Sequence, residues 1–324
     1  MPFITLTCPQ CSAPLPRQAH WRTVTCPYCH TSVSRSEEVV QAAWFRDANQ
    51  RVLGALDIPA QTVQVGSLRY GIVQQLGRGA HADVYLAQRV SALPEQVILK
   101  LARPDVSDSG AALARGAQAL DALQHSDAAG APYFTQRLPQ TVVLGTARSN
   151  FFSEQRALVL RAPPGYWGSL DEVLRRYHAK GQVLDARHAV WMWRRVLEVL
   201  AFVHDSGWVH QELLPENLLV HPGDHGVQII GWSRAARVGS DPAARGRDLA
   251  QLAWTVRALL CGGNDPTETD LPAHVPEPLA QLLRQCAEVP WCGQQGARGI
   301  DQALRAAALQ AFGPPRFLRF DPPV

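Results

Sequence analysis

The sequence predicts an α+β protein in two lobes, β-rich first and helical second, preceded by a small cysteine-rich module. Three observations predict it. Short apolar-alternating stretches, punctuated by Gly and Pro, fill residues 68–162. Beyond Pro163-Pro164 the apolar spacing becomes helical. Four of the seven cysteines fall within the first 29 residues. Strands followed by helices point to an α+β arrangement rather than an alternating parallel sheet. A length of 324 residues allows two domains, or one large domain with an appendage.

Composition excludes several classes. Apolar residues make up 46%, charged residues 18%, and the net charge is +3. A disordered chain would be poorer in apolar residues and more strongly charged. A nucleic-acid scaffold would be far more basic, so nucleic acid is not an expected partner. The most apolar long stretch, 190–203, is interrupted by Arg194, Arg195 and Glu198, so no membrane span is expected. The first fifteen residues carry neither a basic region nor a long apolar run, and the reading is a cytoplasmic protein. Only Lys100 and Lys180 are lysines among 31 basic residues, which makes a lysine at a motif position informative.

The first element is the pair Cys8-Pro-Gln-Cys11 and Cys26-Pro-Tyr-Cys29, separated by fourteen residues. Two tight turns that each aim two thiolates at one point can complete a tetrahedron around Zn²⁺, so residues 1–35 read as a zinc ribbon. Two disulfides would need an oxidising compartment, and a redox dithiol would need only one such pair. A unit this small cannot support itself on its own core, so the metal would supply its folding energy. Its only charged side chains are Arg17, Arg22 and Arg35, which favours docking to a protein over phosphate backbones.

Residues 36–67 read as a helix and linker. Ser34 can cap a helix over 36–45 that opens with Glu37 and Glu38, and 56–67 is loose, with Pro59 and Gly66. Strands are then expected over 70–76, 85–88 and 96–101, a helix over 108–124 with Leu113, Ala117, Leu120 and Leu123 on one face, and strands over 141–144 and 157–161. Helices follow over 170–177 and 185–205, the second with a stripe of Trp193, Val196, Leu197, Leu200 and Val203. Residues 313–324 form a Pro-rich tail, and Cys261, Cys286 and Cys292 read as buried structural thiols.

The segment His210-Gln-Glu-Leu-Leu-Pro-Glu-Asn-Leu-Leu219 follows the long helix and precedes a strand pair near 218–220 and 227–230. It resembles the catalytic loop of protein kinases, H-R-D-L-K-P-E-N, matching at His210, Leu213, Pro215, Glu216, Asn217 and Leu219. Gly77-x-Gly79-x-x-Ala82-x-Val84 resembles the family's Gly-rich loop, and Val97-Ile-Leu-Lys100 falls where the family has V-A-I-K. The stretch from Asp248 to Ala253 resembles the buried helix whose Asp hydrogen-bonds the catalytic loop. Over 68–312 the resemblance implies a bilobal protein-kinase-like fold, with an N-lobe at 68–162 and a C-lobe at 168–312. It implies nucleotide contacts at Gly77, Gly79, Ala82, Val84, Ile98, Lys100 and Leu219, and catalytic positions at Glu212, Asn217 and Lys100.

The departures from that family fall on the chemistry. Gly231-Trp-Ser233 stands for D-F-G, so the main Mg²⁺ ligand is missing and Mg²⁺ is not expected. Glu212 replaces the catalytic Asp, Leu214 the loop Lys and Gln211 the loop Arg. Gly116 stands where a Glu would pair with Lys100, and Ile98 crowds the adenine slot that a small Ala normally floors. The segment after Gly231 lacks an A-P-E anchor and carries Arg234, Arg237, Arg245 and Arg247. The expectation is a pseudokinase-type regulatory or scaffolding protein that binds ATP weakly and engages protein partners through the ribbon and the kinase-like surface. The alternative is an active atypical Ser/Thr kinase, or another phosphoryl or nucleotidyl transferase, with Glu212 as base.

Overall fold

A computed structural model describes residues 13, 23–28, 32–34, 61–91, 94–239, 241–262 and 271–322. Near the N-terminus β1 (Thr23–Thr25) and β2 (Ser32–Ser34) pair antiparallel, with Val24 opposite Val33. Cys26 follows β1 and is buried. Cys8, Cys11 and Cys29, and the helix expected over 36–45, lie outside the described residues.

Period-two alternation builds the next part. Six strands, β3 (Thr62–Val65), β4 (Leu68–Arg78), β5 (Ala82–Arg89), β6 (Gln96–Ala102), β7 (Thr141–Arg148) and β8 (Gln155–Arg161), form a closed barrel in the order β3-β4-β5-β6-β8-β7. β7 returns to β3 through Val65 opposite Ala147 and Gln64 opposite Arg148. The two-lobed protein-kinase-like fold expected from the resemblance is therefore corrected. The β-rich part closes on itself as a six-stranded antiparallel barrel, and the architecture is α+β, a barrel with helices. The closing strand lies in the stretch read as a linker. Pro59 and Gly66 suggested a loop there, yet Val63 and Val65 alternate inward and are fully buried. Closure also leaves no unpaired sheet edge where these strands meet.

Alternation sorts β6 into two faces. Val97, Leu99 and Leu101 point into the barrel with Val63, Val65 and Tyr70, while Ile98 and Lys100 point outward. That outer surface is covered by α1 (Ser109–Gln124), which buries Leu113, Ala117, Leu120 and Leu123 as its spacing predicts.

After the short α2 (Ala131–Phe134), the chain enters its helical part. β9 (Gly168–Ser169) leads into α3 (Leu170–Ala179), capped by Ser169, which accepts from the Glu172 amide at 3.2 Å. α4 (Ala186–Asp205) is capped by Asp185, which accepts from the Arg187 amide at 2.8 Å, and it buries the predicted stripe of Trp193, Val196, Leu197, Leu200 and Val203. β10 (Trp208–Val209) pairs with β13 (Ala236–Arg237), while β11 (Leu218–His221) joins β12 (Gly226–Ile229) and β9 in a three-stranded sheet. Helices α5 (Ala244–Cys261), α6 (Glu277–Gln285) and α7 (Val289–Phe312) complete the part, and α7 is broken at Gly296, where φ is +62°. No helix among the described residues is long and apolar enough to cross a membrane.

The C-terminal tail packs on the helices. Phe320 is buried edge-on against His188 and Trp191. Phe317 stacks on His225 at 4.5 Å, and His225 stacks in turn on Trp191 at 4.3 Å. Tyr28, just beyond β1, meets the edge of Phe317 at 5.5 Å, so the tail joins the N-terminal hairpin to the helical part.

Candidate functional site

The site begins with the outward face of β6. Lys100 sits opposite Val84 on β5 and Leu158 on β8. Burial lowers its pKa, and the nearby Glu212 carboxylate opposes that shift. Lys100 and the segment from His210 therefore face one another across the junction of barrel and helices.

One face of α5 holds that segment in place. Asp248, Gln251 and Thr255 are spaced by three and then four residues, which aligns them along a helix. Asp248 Oδ2 accepts from the His210 amide at 2.8 Å and lies 3.1 Å from His204 Nε2, while Oδ1 accepts from the Gln211 amide at 2.7 Å. Gln251 Oε1 accepts from the Leu213 amide, and the Thr255 hydroxyl donates to the Leu213 carbonyl, both at 2.6 Å. The restraint matters because Gln211 has φ +66°, a left-handed backbone that a non-glycine residue adopts at a cost of about 1 kcal/mol or more.

His210 is fully buried between two partners. Its Nδ1 accepts from the Glu212 amide at 3.2 Å, so its Nε2 carries the proton and donates to the Ile230 carbonyl at 2.8 Å. Both bonds suit the neutral ring. Burial lowers its pKa, against the Asp248 charge and the Ile230 carbonyl.

Around Glu212 the expected catalytic positions are in use. Arg234 Nε lies 3.1 Å from Glu212 Oε1, and Asn217 Nδ2 donates to the Glu212 carbonyl at 2.9 Å. Gly231 has φ +79°, and a Cβ built there would lie 2.1 Å from Asn217 Oδ1. The Asn217 amide thus fills the space that a metal-ligating side chain at 231 would need. Gly116 is similarly closed: a Cβ there would lie 3.2 Å from both the carbonyl carbon and oxygen of Trp232. α1 rests its glycine directly on the 3₁₀ turn Trp232–Arg234, so a carboxylate partner to Lys100 at this position would need that turn to give by a few tenths of an ångström. Trp232 is buried, donates to the Ile229 carbonyl at 2.9 Å and meets His210 edge-on at 4.8 Å.

The other expected residues are spread over the β4–β5 hairpin, β6 and β11. Gly77, Gly79, Ala82 and Val84 form the β4–β5 hairpin, which is tight: the Gly79 amide donates to the Ala82 carbonyl at 2.8 Å. Arg103 clamps it, donating to the Gly79 carbonyl at 3.2 Å and to the His81 carbonyl, through its amide, at 3.0 Å. Ile98 is half-buried on the outer face with Lys100, and Leu219 lies on β11 opposite Gln228 and Ser169. Sequence reasoning counted Arg234 only as part of an Arg-rich segment and missed Gln251 and Thr255. The helical spacing of those two from Asp248 was the available signal.

Burial also sets a pH response. His188, His210 and His225 are buried, and burial holds each below its ordinary pKa, His225 at about 4, where His188 and Arg195 add to the effect. The unfolded chain titrates these imidazoles near ~6.5, so below that pH it binds more protons than the folded protein. Stability is full above about pH 6.5 and falls as pH drops through it. On cooling-free thermal scans between about pH 7.5 and about pH 5, His225 alone should cost about 2 kcal/mol, and His225→Asn should flatten the slope. A melting temperature that does not change over this range would contradict the assignment.

No family model matches this chain. Among curated proteins it is similar to a probable serine/threonine-protein kinase, PknB, of Lactococcus lactis subsp. lactis (strain IL1403). The two are 24% identical over 164 residues, which is 49% of this chain and 23% of the relative. The chain thus spans about a quarter of the length of the curated relative it matches. The similarity points to a distant kinase-like relationship.

Proposed function

We propose that this chain is a pseudokinase-type regulatory or scaffolding protein with little or no phosphotransfer. The observation that carries the reading is Gly231, which has no side chain to ligate a metal and where any side chain would need the Asn217 amide to move and a left-handed backbone to accept a Cβ. Phosphoryl transfer depends almost wholly on positioning and on neutralising charge with metal ions. Without a carboxylate at 231, Asn217 alone is a poor site for a hard cation. The Arg234–Glu212 contact and the close packing at Gly116 support the same reading, since the first engages the candidate base and the second stands where a carboxylate would pair with Lys100. Any nucleotide held here would rely on the charge of Lys100 rather than on Mg²⁺.

The test combines ATP-dependent thermal stabilisation, with and without Mg²⁺, and radiolabelled phosphate transfer. The expected result is a small shift that is the same with or without Mg²⁺, and transfer at background. Mg²⁺-dependent incorporation that both Glu212→Ala and Lys100→Ala abolish would instead establish the atypical transferase, for which the shared position of Lys100 and Glu212 speaks.

The N-terminal module is proposed as a structural Zn²⁺ ribbon that docks a protein partner. The β1–β2 hairpin, with buried Cys26 at its turn, supports it, because a knuckle aims its thiolates from such a turn. Cys8, Cys11, Cys26 and Cys29 would hold the ion as thiolates and tie the module together. Metal analysis should find one Zn²⁺ per chain, lost in Cys26→Ser. A folded wild-type protein without zinc would sink the proposal.

A further inference from the structure

The C-terminal tail keeps its place without regular structure. Residues 314–322 form neither helix nor strand, so no backbone ladder of their own fixes them. Side chains do so instead. Phe317, Leu318 and Phe320 turn inward, while Arg316, Arg319 and Asp321 are exposed. Phe320 is buried edge-on against His188 and Trp191 of α4, and Trp191 Nε1 donates to His188 Nδ1 at 3.1 Å, which makes the two rings one wall. Phe317 lies nearly flat on His225, with 24° between the rings, and His225 lies flat on Trp191, with 9°.

The middle layer of this column is held at a cost. His225 lies in the turn between β11 and β12 with φ +49°, a left-handed backbone that Gly or Asn adopts more readily. Arg195 Nε of α4 donates to its carbonyl at 3.1 Å and steadies that turn. A non-glycine residue kept in such a conformation points to a task for its side chain. Here the ring is the layer through which Phe317 reaches the helical part. On its other contact Phe317 takes the edge of Tyr28, which stands between Cys26 and Cys29 in the sequence. The hairpin that carries Tyr28 has two three-residue strands, too short to be stable without packing against something else.

We propose that the C-terminal tail is a strap that docks the Cys26–Cys29 turn onto the helical part, so that the module's docking surface is occupied in cis by the segment Phe317-Leu-Arg-Phe320. The proposal rests on the reading of the N-terminal module as a docking unit and names what it docks on; bound metal is not part of the argument. Because the tail and the module belong to one chain, a contact of a few rings suffices to keep them closed. The strap also keeps the Tyr28 side of the module from any other protein until the tail lifts. The anchor at His225 lies on the hairpin that continues directly from the 210–219 segment, so the strap ties the module to the part of the fold that carries the candidate site.

The test is hydrogen–deuterium exchange on the full chain, with zinc per chain measured on the same samples. Phe317→Ala should speed exchange in the β1–β2 hairpin by about tenfold, the weight of an aromatic pair, while α4 exchanges as in wild type. Tyr28→Ala should speed exchange in 314–322 by a similar factor, because a contact between two segments protects both. Phe317→Tyr, which keeps the ring, should restore wild-type protection. The proposal is overturned if either alanine variant leaves the opposite segment within about twofold of wild type. Faster exchange in the hairpin and α4 together would also overturn it, since the tail would then act on the whole fold rather than on the module. Zinc content separates this proposal from the ribbon. A zinc-free wild type whose two segments still protect each other upholds the strap and ends the ribbon, and a zinc-loaded protein in which they do not ends the strap alone.

Discussion

Replacing Asp248 with alanine should lower the stability of the folded protein by about 3–5 kcal/mol, the usual cost of removing one partner from a buried charged network. Asp248 is 1% exposed and accepts from the His210 and Gln211 amides, with His204 against the same carboxylate. Alanine leaves these donors buried without an acceptor, and each such group costs about 1–3 kcal/mol. It also releases Gln211 from its left-handed conformation, so the backbone should relax away from the geometry that sets Glu212 beside Arg234. In a molecule of this size the loss corresponds to a fall of about 10 °C in melting temperature. Asp248→Asn, which keeps one carbonyl oxygen but turns an N–H₂ toward amide donors, should fall in between. Thr255→Val, which deletes one hydrogen bond to the Leu213 carbonyl, should cost about 1 kcal/mol. Urea titration of the variants decides the matter, and an Asp248→Ala protein within 1 kcal/mol (about fivefold in the folding constant) of wild type would show that α5 does not hold the segment.

Installing the aspartate that kinases carry should damage this protein rather than repair it. Gly231→Asp places a Cβ at φ +79° where it would meet Asn217 Oδ1 at 2.1 Å. Backbone strain and displacement of the Asn217 side chain should together cost about 2–4 kcal/mol. Mg²⁺-dependent stabilisation by ATP should not appear. The clash has a named partner, so a double-mutant cycle can isolate it. In an Asn217→Gly background the penalty of Gly231→Asp should shrink by about 1 kcal/mol or more, since the two residues are in contact. If Gly231→Asp keeps the wild-type melting temperature and gains Mg²⁺-ATP binding, then the metal position was lost by one substitution in an otherwise competent site.

The ribbon rests on cysteine spacing and a hairpin of the right form. The pseudokinase reading rests on the absence of a carboxylate at positions 231 and 116 and on the close packing around both. The distant similarity to a Ser/Thr kinase over half the chain bears on the second reading and not on the first.

What the sequence determined by itself is local. Helical spacing in α1 and α4 located both helices and their buried stripes, because a period of about 3.6 is imposed by neighbours one and two turns away. The resemblance of the 97–100, 210–219 and 248–253 segments to protein kinases implied Asp248 as the acceptor for the 210–211 backbone and Lys100 as a neighbour of that segment, and both lie there. Tertiary structure alone decided the rest. Barrel closure needed Val65 to meet Ala147, and a four-residue strand beside Pro and Gly carries too little periodicity to declare that pairing. The Arg234–Glu212 contact, the Asn217 amide filling the space beside Gly231, and the Phe317–His225–Trp191 stack join residues whose spacing follows no local rule. They exist because close packing brings whole elements together, and which side chain then fills which gap is fixed by shape rather than by position along the chain.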